Sequence, residues 1–255
     1  MELIIDVGNT LVKMALFEAG RPVRVERSPQ LGMGCVRAFL AGRVPQRIGV
    51  ASVGADIAAA ALELGTLAPV TLIDARSLLP IRSAYDTPLT LGIDRAANAV
   101  AAHRRFPGRA VLAIDAGSCI TYDLVDADGV FQGGAISPGL QMRVRSMHAY
   151  SARLPMVDLD GAPPLVARST QDALRSGVLH GTLGELRAMI EGFAHAAPDP
   201  AVVITGGDGL WAARALKSGI FAVPWLTLEG IHAILRHSAP PAAIAGADAG
   251  PGAAG

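Results

Sequence analysis

Aromatic residues are scarce. They make up 4% of the 255 residues, too few for a surface of stacked rings that would hold single-stranded nucleic acid. Net charge is missing as well: 22 Lys and Arg balance 22 Asp and Glu, and the pI is about 7.0. No global field therefore draws the chain to nucleic acid or to a membrane surface. Cysteine is limited to Cys35 and Cys119, whose separation offers neither a metal-ligand spacing nor a disulfide framework. A reducing, cytoplasmic setting is expected. Half of the chain (51%) is hydrophobic and the mean hydropathy is +0.39. Much of that comes from alanine, and no run of about 18 apolar residues is available to span a bilayer. The start, Met1-Glu2-Leu3, is already strand-like, with no basic leader, so no signal peptide is expected.

What the chain does have is a short apolar run that ends in an acid and a glycine. Leu3 to Lys13 reads Leu-Ile-Ile-Asp-Val-Gly-Asn-Thr-Leu-Val-Lys. The run predicts a buried strand. Asp6 stands where that strand should end, and a carboxylate there is costly unless it is paired or holds a cation. Gly8 lets a phosphate approach the backbone. Asn9 and Thr10 add small polar donors and Lys13 a positive charge, so the stretch suits a nucleotide-phosphate site with a metal. A second copy follows at Val111 to Thr121, Val-Leu-Ala-Ile-Asp-Ala-Gly-Ser-Cys-Ile-Thr. Asp6 and Asp115 are 109 positions apart (115 − 6), as are Gly8 and Gly117, and Gly20 and Gly129. This ungapped offset predicts a duplicated strand, loop, strand and turn, whose two halves would clamp one nucleotide between them.

The rest of the chain alternates strand and helix signals, as an α/β fold requires. Strands are predicted at Met14 to Glu18, Val23 to Val25, Arg47 to Val53, Val70 to Asp74, Thr121 to Val125 and Ala201 to Ile204. Helices are predicted at Met33 to Gly42, Ala58 to Leu64, after Pro138-Gly139, from Ser169 on, and at Leu226 to Arg236. Residues 78–91 read as a polar loop containing Tyr85. Gly92-Ile93-Asp94-Arg95 enters an alanine-rich helix, which places Asp94 in its first turn. There it either caps the helix or serves as a carboxylate able to take a proton from an alcohol. Arg95 carries a planar fork suited to a carboxylate. Gly133-Gly134 and Thr205-Gly206-Gly207 allow close approach of backbone to a ligand or to another segment. Gly177, Gly181 and Gly184 recur near helical spacing and are expected to allow close helix packing. Beyond His237 the composition predicts a disordered tail.

Together these motifs resemble those of the type III pantothenate kinases. The resemblance runs from Met1 to about Arg236. It rests on D-x-G-N-T-x-x-K at Asp6 to Lys13, Tyr85 with Pro88, G-x-D-R at Gly92 to Arg95, and the second D-x-G at Asp115. It continues through G-G-x-I-x-P-G-L from Gly133 to Leu140, Leu154-Pro155, Thr205-Gly206-Gly207 and Leu226 to Gly230. The resemblance implies two ribonuclease-H-like domains of the actin-like ATPase type with the active site in the cleft between them. They would cover residues 1–108 and 109–237, with the tail at 238–255. It implies transfer of the ATP γ-phosphoryl group to pantothenate in a homodimer, with Mg²⁺ and a monovalent cation, K⁺ or NH₄⁺. By the same resemblance Asp94 is the general base. Asp6 and Asp115 are metal-site acids, the latter at the second metal or monovalent-cation position. Gly8, Asn9, Thr10, Lys13, Gly117, Ser118, Thr121, Gly206 and Gly207 hold the nucleotide. Tyr85, Gly92, Ile93, Arg95 and Thr170 bind the acceptor. Ser118-Cys119 departs from the Thr-Ala of many members but keeps the hydroxyl. An acceptor-independent phosphatase and an ATP-binding accessory regulator are the alternatives on the same architecture.

Overall fold

The computed structural model describes residues 1–52, 57–216 and 219–238. In chain order the elements are β1 (Glu2–Val7), β2 (Val12–Glu18), β3 (Arg21–Ser28), α1 (Met33–Leu40), β4 (Arg47–Ser52), α2 (Ala58–Leu64), β5 (Val70–Ile73), β6 (Arg82–Ser83) and α3 (Ile93–Arg105). They continue with β7 (Val111–Ala116), β8 (Cys119–Val125), β9 (Val130–Pro138), α4 (Leu140–Ala149), α5 (Thr170–Ala196), β10 (Ala201–Thr205), α6 (Gly209–Leu216), β11 (Ile220–Ala222) and α7 (Leu226–His237). No described helix is long and apolar enough to cross a membrane.

The strands form two sheets of matching order, β3-β2-β1-β4-β5 and β11-β10-β7-β8-β9-β6. In each, the central strand (β1 or β7) runs antiparallel to the next strand and parallel to a later one (β4 or β10). The duplication read from the sequence is thus present in the topology, and the turn glycines Gly20 and Gly129 both have positive φ. The offset is not ungapped, however. The loop between β1 and β2 holds residues 8–11, whereas that between β7 and β8 holds only 117–118. The following turn is longer in the second half, 126–129 against 19–20, and so restores the register. Two compensating length changes are invisible to a comparison anchored on the glycines.

Strand periodicity explains the layering. In β1, Leu3, Ile5 and Val7 join an outer core with Val36, Phe39 and Leu64 of α1 and α2, while Ile4 faces the opposite way, into a core with Ala96, Ala97, Val100 and Ile231. In the second sheet Leu112, Ile114 and Tyr122 pack outward with Leu186 and Ala212, and Val111, Ala113 and Val203 pack inward with Ala101, Ala102 and Leu226. Such alternation is what a strand with both faces covered requires. The helices α3 and α7 therefore form a middle layer between the two sheets. Their alanine and glycine content has a steric reason: a Cβ on Gly230 would lie 1.9 Å from the Ala97 carbonyl oxygen. Only small residues allow so close a crossing.

Several sequence expectations need correction. The polar loop at 78–91 contributes β6, which pairs with β9 and so reaches the second sheet. Arg82-Ser83 lacks any apolar alternation that could have signalled a strand. The expected boundary at 108/109 falls between α3 and β7, yet α7, from the second part, packs on β1 of the first sheet. Gly177, Gly181 and Gly184 do not mediate close packing within the chain, since a Cβ at each would meet open space. Val53 and the tail beyond Ser238 lie outside the described residues.

The free end of β1 carries a buried ion cluster. Glu2 is hydrogen-bonded by Arg47, lies 2.6 Å from His232 Nε2 and 3.5 Å from Arg236 Nη1, and His232 stacks on Phe17 at 4.1 Å. Burial pushes the Glu2 carboxyl up, but Arg47 and His232 outweigh it and hold the group at about 2. A carboxyl depressed below its ordinary value contributes stability that is complete above about pH 4.5 and is lost as pH falls towards 2. Glu2→Gln should therefore flatten the loss of stability between about pH 5 and 3, read from urea midpoints across that range. Identical pH dependence in the two proteins would reject this role for the cluster.

Candidate active site

The inward faces of the two sheets end in carboxylates. Asp6 shares the parity of Ile4 on β1, Asp115 that of Ala113 on β7, and Asp123 that of Val125 on β8. All three therefore turn towards the layer of α3 and α7. Asp6 and Lys13 are partners in the β1–β2 ladder. Lys13 Nζ donates to Asp6 Oδ2 at 3.3 Å, a cross-strand pair of opposite charge. Asp6 is only 4% exposed. Burial raises its pKa, Lys13 opposes the rise, and the charge of Asp94 adds to it.

Asp115 occupies the matching place in the second half, but its ladder partner is Thr121 rather than a lysine. Its Oδ2 accepts from Asn98 Nδ2 at 3.2 Å, and Asn98 Oδ1 in turn accepts from Thr227 Oγ1 at 2.9 Å. Burial raises the Asp115 pKa; Lys13 and Asn98 pull it down, and Asp94 and Asp6 push it up. The two D-x-G loops meet directly, with Thr10 Oγ1 3.0 Å from Ser118 Oγ. Gly8 and Gly117 each close a tight turn, their N–H groups bonding to the carbonyls of Leu11 and Cys119. Asn9, Thr10 and Ser118 are exposed at this junction, as a ligand-facing rim should be. Thr121, in contrast, is buried within β8 and is not part of the loop.

Asp94 stands in the first turn of α3, and its charge adds to the upward shift of Asp6, Asp115 and Asp123. Its Oδ1 accepts from the Arg95 N–H at 2.8 Å. That folded-back rotamer requires Gly92, since a Cβ there would lie 2.5 Å from Oδ1. Among the described residues Oδ2 has no hydrogen bond. One oxygen of the carboxylate is thus used at the helix start and the other is left open.

The planar fork of Arg95 does grip a carboxylate, and in the fold that carboxylate is Asp123. Arg95 is 6% exposed. Its Nε donates to Asp123 Oδ1 at 2.9 Å, Nη2 lies 2.7 Å from the same oxygen, and Nη1 donates to the Tyr85 hydroxyl at 3.4 Å. The guanidinium packs over the rings of Tyr85 (5.6 Å) and Phe131 (5.9 Å). Asp123 is completely buried; among the described residues its Oδ2 has no hydrogen-bond partner, and Arg95 Nη2 is held to Asp123 by the ion pair without a well-aligned hydrogen bond. Burial lifts the Asp123 carboxyl to about 6 against the pull of Arg95. A buried polar atom left unpaired calls for an explanation such as an ordered water or a ligand.

The family model described as type III pantothenate kinase matches residues 2–192. Relatives of that name from Bacteroides fragilis and Christiangramia forsetii are 40% identical over 240 residues (93% of this chain, 98% of theirs) and 38% identical over 241 (92% and 98%). The chain belongs to the type III pantothenate kinase family. Among solved structures it is similar to a Baf family protein from Campylobacter jejuni, with TM-score 0.62, 20% identity and coverage of 92% of this chain and 98% of that one. It also resembles the ethanolamine utilization protein EutJ from Carboxydothermus hydrogenoformans, with TM-score 0.51, 14% identity and coverage of 91% and 89%. Such likeness speaks for the fold, two ribonuclease-H-like halves of the actin-like ATPase type.

Within this type III pantothenate kinase fold, the remaining sequence-predicted residues divide. Gly206 packs against Asp115: it has φ +95, and a Cβ would lie 2.4 Å from both Asp115 Oδ1 and the Ala116 carbonyl oxygen. Gly207 faces open space. Ile93 is part of the apolar core, so only its backbone is available to a ligand. Thr170 is exposed at the start of α5, where the helix is capped by Ser169 and not by Thr170 itself. Asn98, Asp123 and Thr227 were missed. Asn98 lies one turn after Asp94 on α3 and Asp123 interrupts an apolar strand, so both carried a signal; Thr227 carried none beyond its motif. Gly206→Ala is expected to lose about 1–3 kcal/mol of stability and to displace Asp115, with nucleotide affinity falling in parallel. An unfolding midpoint and nucleotide affinity equal to wild type would show that the loop relaxes freely.

The donor set suits a metal ion held partly by water and ligand oxygens. Among the described residues no group of three or more His, Cys, Asp or Glu side chains could hold an ion. An all-protein cage is therefore absent from them, but Asp6 and Asp115 fit a Mg²⁺ that takes one or two carboxylates and completes its shell with water and phosphate oxygens. Both acids are raised by burial, which a bound cation would reverse.

Proposed function

We propose that the chain transfers the γ-phosphoryl group of ATP to the primary hydroxyl of pantothenate, giving 4'-phosphopantothenate. The observation that carries this reading is the meeting of the two D-x-G loops at Thr10 and Ser118 beside Asp6, Asp115 and Asp94. Membership of the type III pantothenate kinase family supplies the acceptor. The N–H groups and hydroxyls of residues 8–10 and 117–118, with Lys13, hold the phosphates. Gly206 and Gly207 border the nucleotide. Mg²⁺ bound with the nucleotide would neutralise phosphate charge and align it. Charge in the loose transition state sits on the equatorial oxygens, so positioning and electrostatics supply most of the catalysis. Asp94, through Oδ2, orients the attacking hydroxyl and takes its proton. Arg95 and Tyr85 form the acceptor wall together with Gly92, the Ile93 backbone and Thr170. The Nε edge of Arg95 is engaged by Asp123, so the pantothenate carboxylate is read by the Nη end of the fork.

The monovalent cation, K⁺ or NH₄⁺, is assigned to Asp115, whose ladder partner brings no positive charge of its own. A homodimer is assigned as well, using the open Gly177, Gly181 and Gly184 side of α5 and the exposed Ile136 and Met142. Domains at 1–108 and 109–237 follow the duplication, with α7 returning to the first. Both cysteines are free, which suits a cytoplasmic setting. The test is ADP release from purified protein in Mg-ATP and K⁺, with and without pantothenate. ADP that depends on pantothenate, with phosphopantothenate in the mass spectrum, is expected. ADP release without acceptor would replace the reading with a phosphatase. ATP binding without turnover would replace it with a regulator.

A further inference from the structure

At the end of the molecule remote from the carboxylates lies a second basic site. A cavity of about 280 Å³ is walled by Ala19 and Gly20 of the β2–β3 turn, Arg104 at the end of α3, and His232, Ala233 and Arg236 near the end of α7. Glu2, which borders it through His232, starts the strand that Asp6 closes, and four residues of strand separate the two by about 13 Å. Arg104 makes no hydrogen bond or ion pair among the described residues. Both Arg104 and Arg236 act on His232, whose pKa is lowered by burial and by these two arginines against the pull of Glu2. Of the neighbouring carboxylates, Glu2 is shared among Arg47, His232 and Arg236, and Glu229 is engaged by Arg105. Arg104 and Arg236, the two arginines that line the pocket, keep it net positive even with His232 neutral, since Glu2 is also countered by Arg47.

We propose that this pocket binds a small phosphate-bearing anion, separate from the nucleotide cleft. Two guanidinium groups, one from the end of α3 and one from the end of α7, match a phosphomonoester dianion, which accepts charge-assisted hydrogen bonds from several directions. The volume lies near the lower end for small-molecule sites and suits a phosphate with a small body. The ends of α3 and α7 would by themselves repel an anion, because their dipoles are negative there. Binding thus rests on the arginine side chains and is removable by substitution. A bound anion joins the trailing ends of the two helices whose leading ends carry Asp94 and Thr227, and so ties this pocket mechanically to the cleft.

The experiment is calorimetric titration of the full chain with ribose 5-phosphate, the cleft being filled beforehand with Mg²⁺ and a non-hydrolysable ATP analogue. One site per chain is expected. Affinity should drop at least about tenfold in the Arg104→Ala/Arg236→Ala variant, and should weaken with added salt. Affinity for the ATP analogue should stay unchanged. Equal binding by wild type and variant, or no binding by wild type at about 10 mM, overturns the proposal. If the double variant does not fold, Arg104→Gln, at an exposed and unpaired position, provides the same comparison. Inorganic phosphate in place of the sugar phosphate separates recognition of the phosphate alone from recognition of its ester.

Discussion

Asp94→Asn is expected to cut turnover by about 10²–10⁴-fold while leaving the fold and nucleotide affinity close to wild type. Asparagine keeps the size of the side chain and an Oδ1 that can accept from the Arg95 N–H, so the start of α3 and the rotamer allowed by Gly92 persist. What disappears is the basic oxygen facing the cleft. One negative charge is also withdrawn from Asp6, Asp115 and Asp123, each of which it pushes upward. Those carboxyls become easier to ionise, so nucleotide with Mg²⁺ has no reason to bind less well. The variant should therefore separate kcat from nucleotide Kd: ADP release collapses while titration with ATP does not. Turnover within about threefold of wild type would remove Asp94 from the role of base, since general-base contributions are far larger than that.

The sequence was legible where chemistry and periodicity coincide. Asp6 and Asp115 each end an apolar run, and both stand at the cleft ends of central strands. Asp94 was placed in the first turn of its helix and lies there. Lys13 was read only as a nearby charge. The four-residue loop that makes it the ladder partner of Asp6 depends on where β2 begins, which composition does not show. The contact of Thr10 with Ser118 belongs to the packing of one half on the other, and no local pattern encodes it. Asp123 lies within the strand predicted at Thr121 to Val125, and the sequence reading gives it no role. Strand alternation could have exposed it: Thr121, Asp123 and Val125 share a face, and an acid on an inward face must be paired. Its partner proved to be Arg95, whose isolated position in the sequence had pointed to a substrate alone. Gly206 was recognised as a site of close approach, but the atoms approached are those of Asp115 and not only those of a ligand.

The pairing of Arg95 with Asp123 leads to the second large effect. Asp123→Ala should destabilise the protein by about 3–5 kcal/mol, because it leaves a buried guanidinium without its counter-charge. Nη1 would keep only the Tyr85 hydroxyl, with the guanidinium still packed over Tyr85 and Phe131. Asp123→Asn retains an acceptor for Nε and the shape of the site, so its loss should be smaller, with a raised KM for pantothenate and a lesser change in kcat. The pH dependence separates the charge from the shape. Burial holds the Asp123 carboxyl at about 6 in the folded protein, above its value of about 3.9 in an unfolded chain. Between those values the folded state binds more protons, so this group adds stability as pH falls from about 7 towards 4 and withdraws it as pH rises. Wild type should therefore gain on Asp123→Asn as the solution is acidified, the reverse of the behaviour expected from Glu2. Urea unfolding of wild type and both variants at pH 7.5 and 5 reads each of these signs. An Asp123→Ala protein within about 1 kcal/mol of wild type would mean that Arg95 swings out to solvent when released, and that its place in the acceptor wall is held by the ligand and not by the fold.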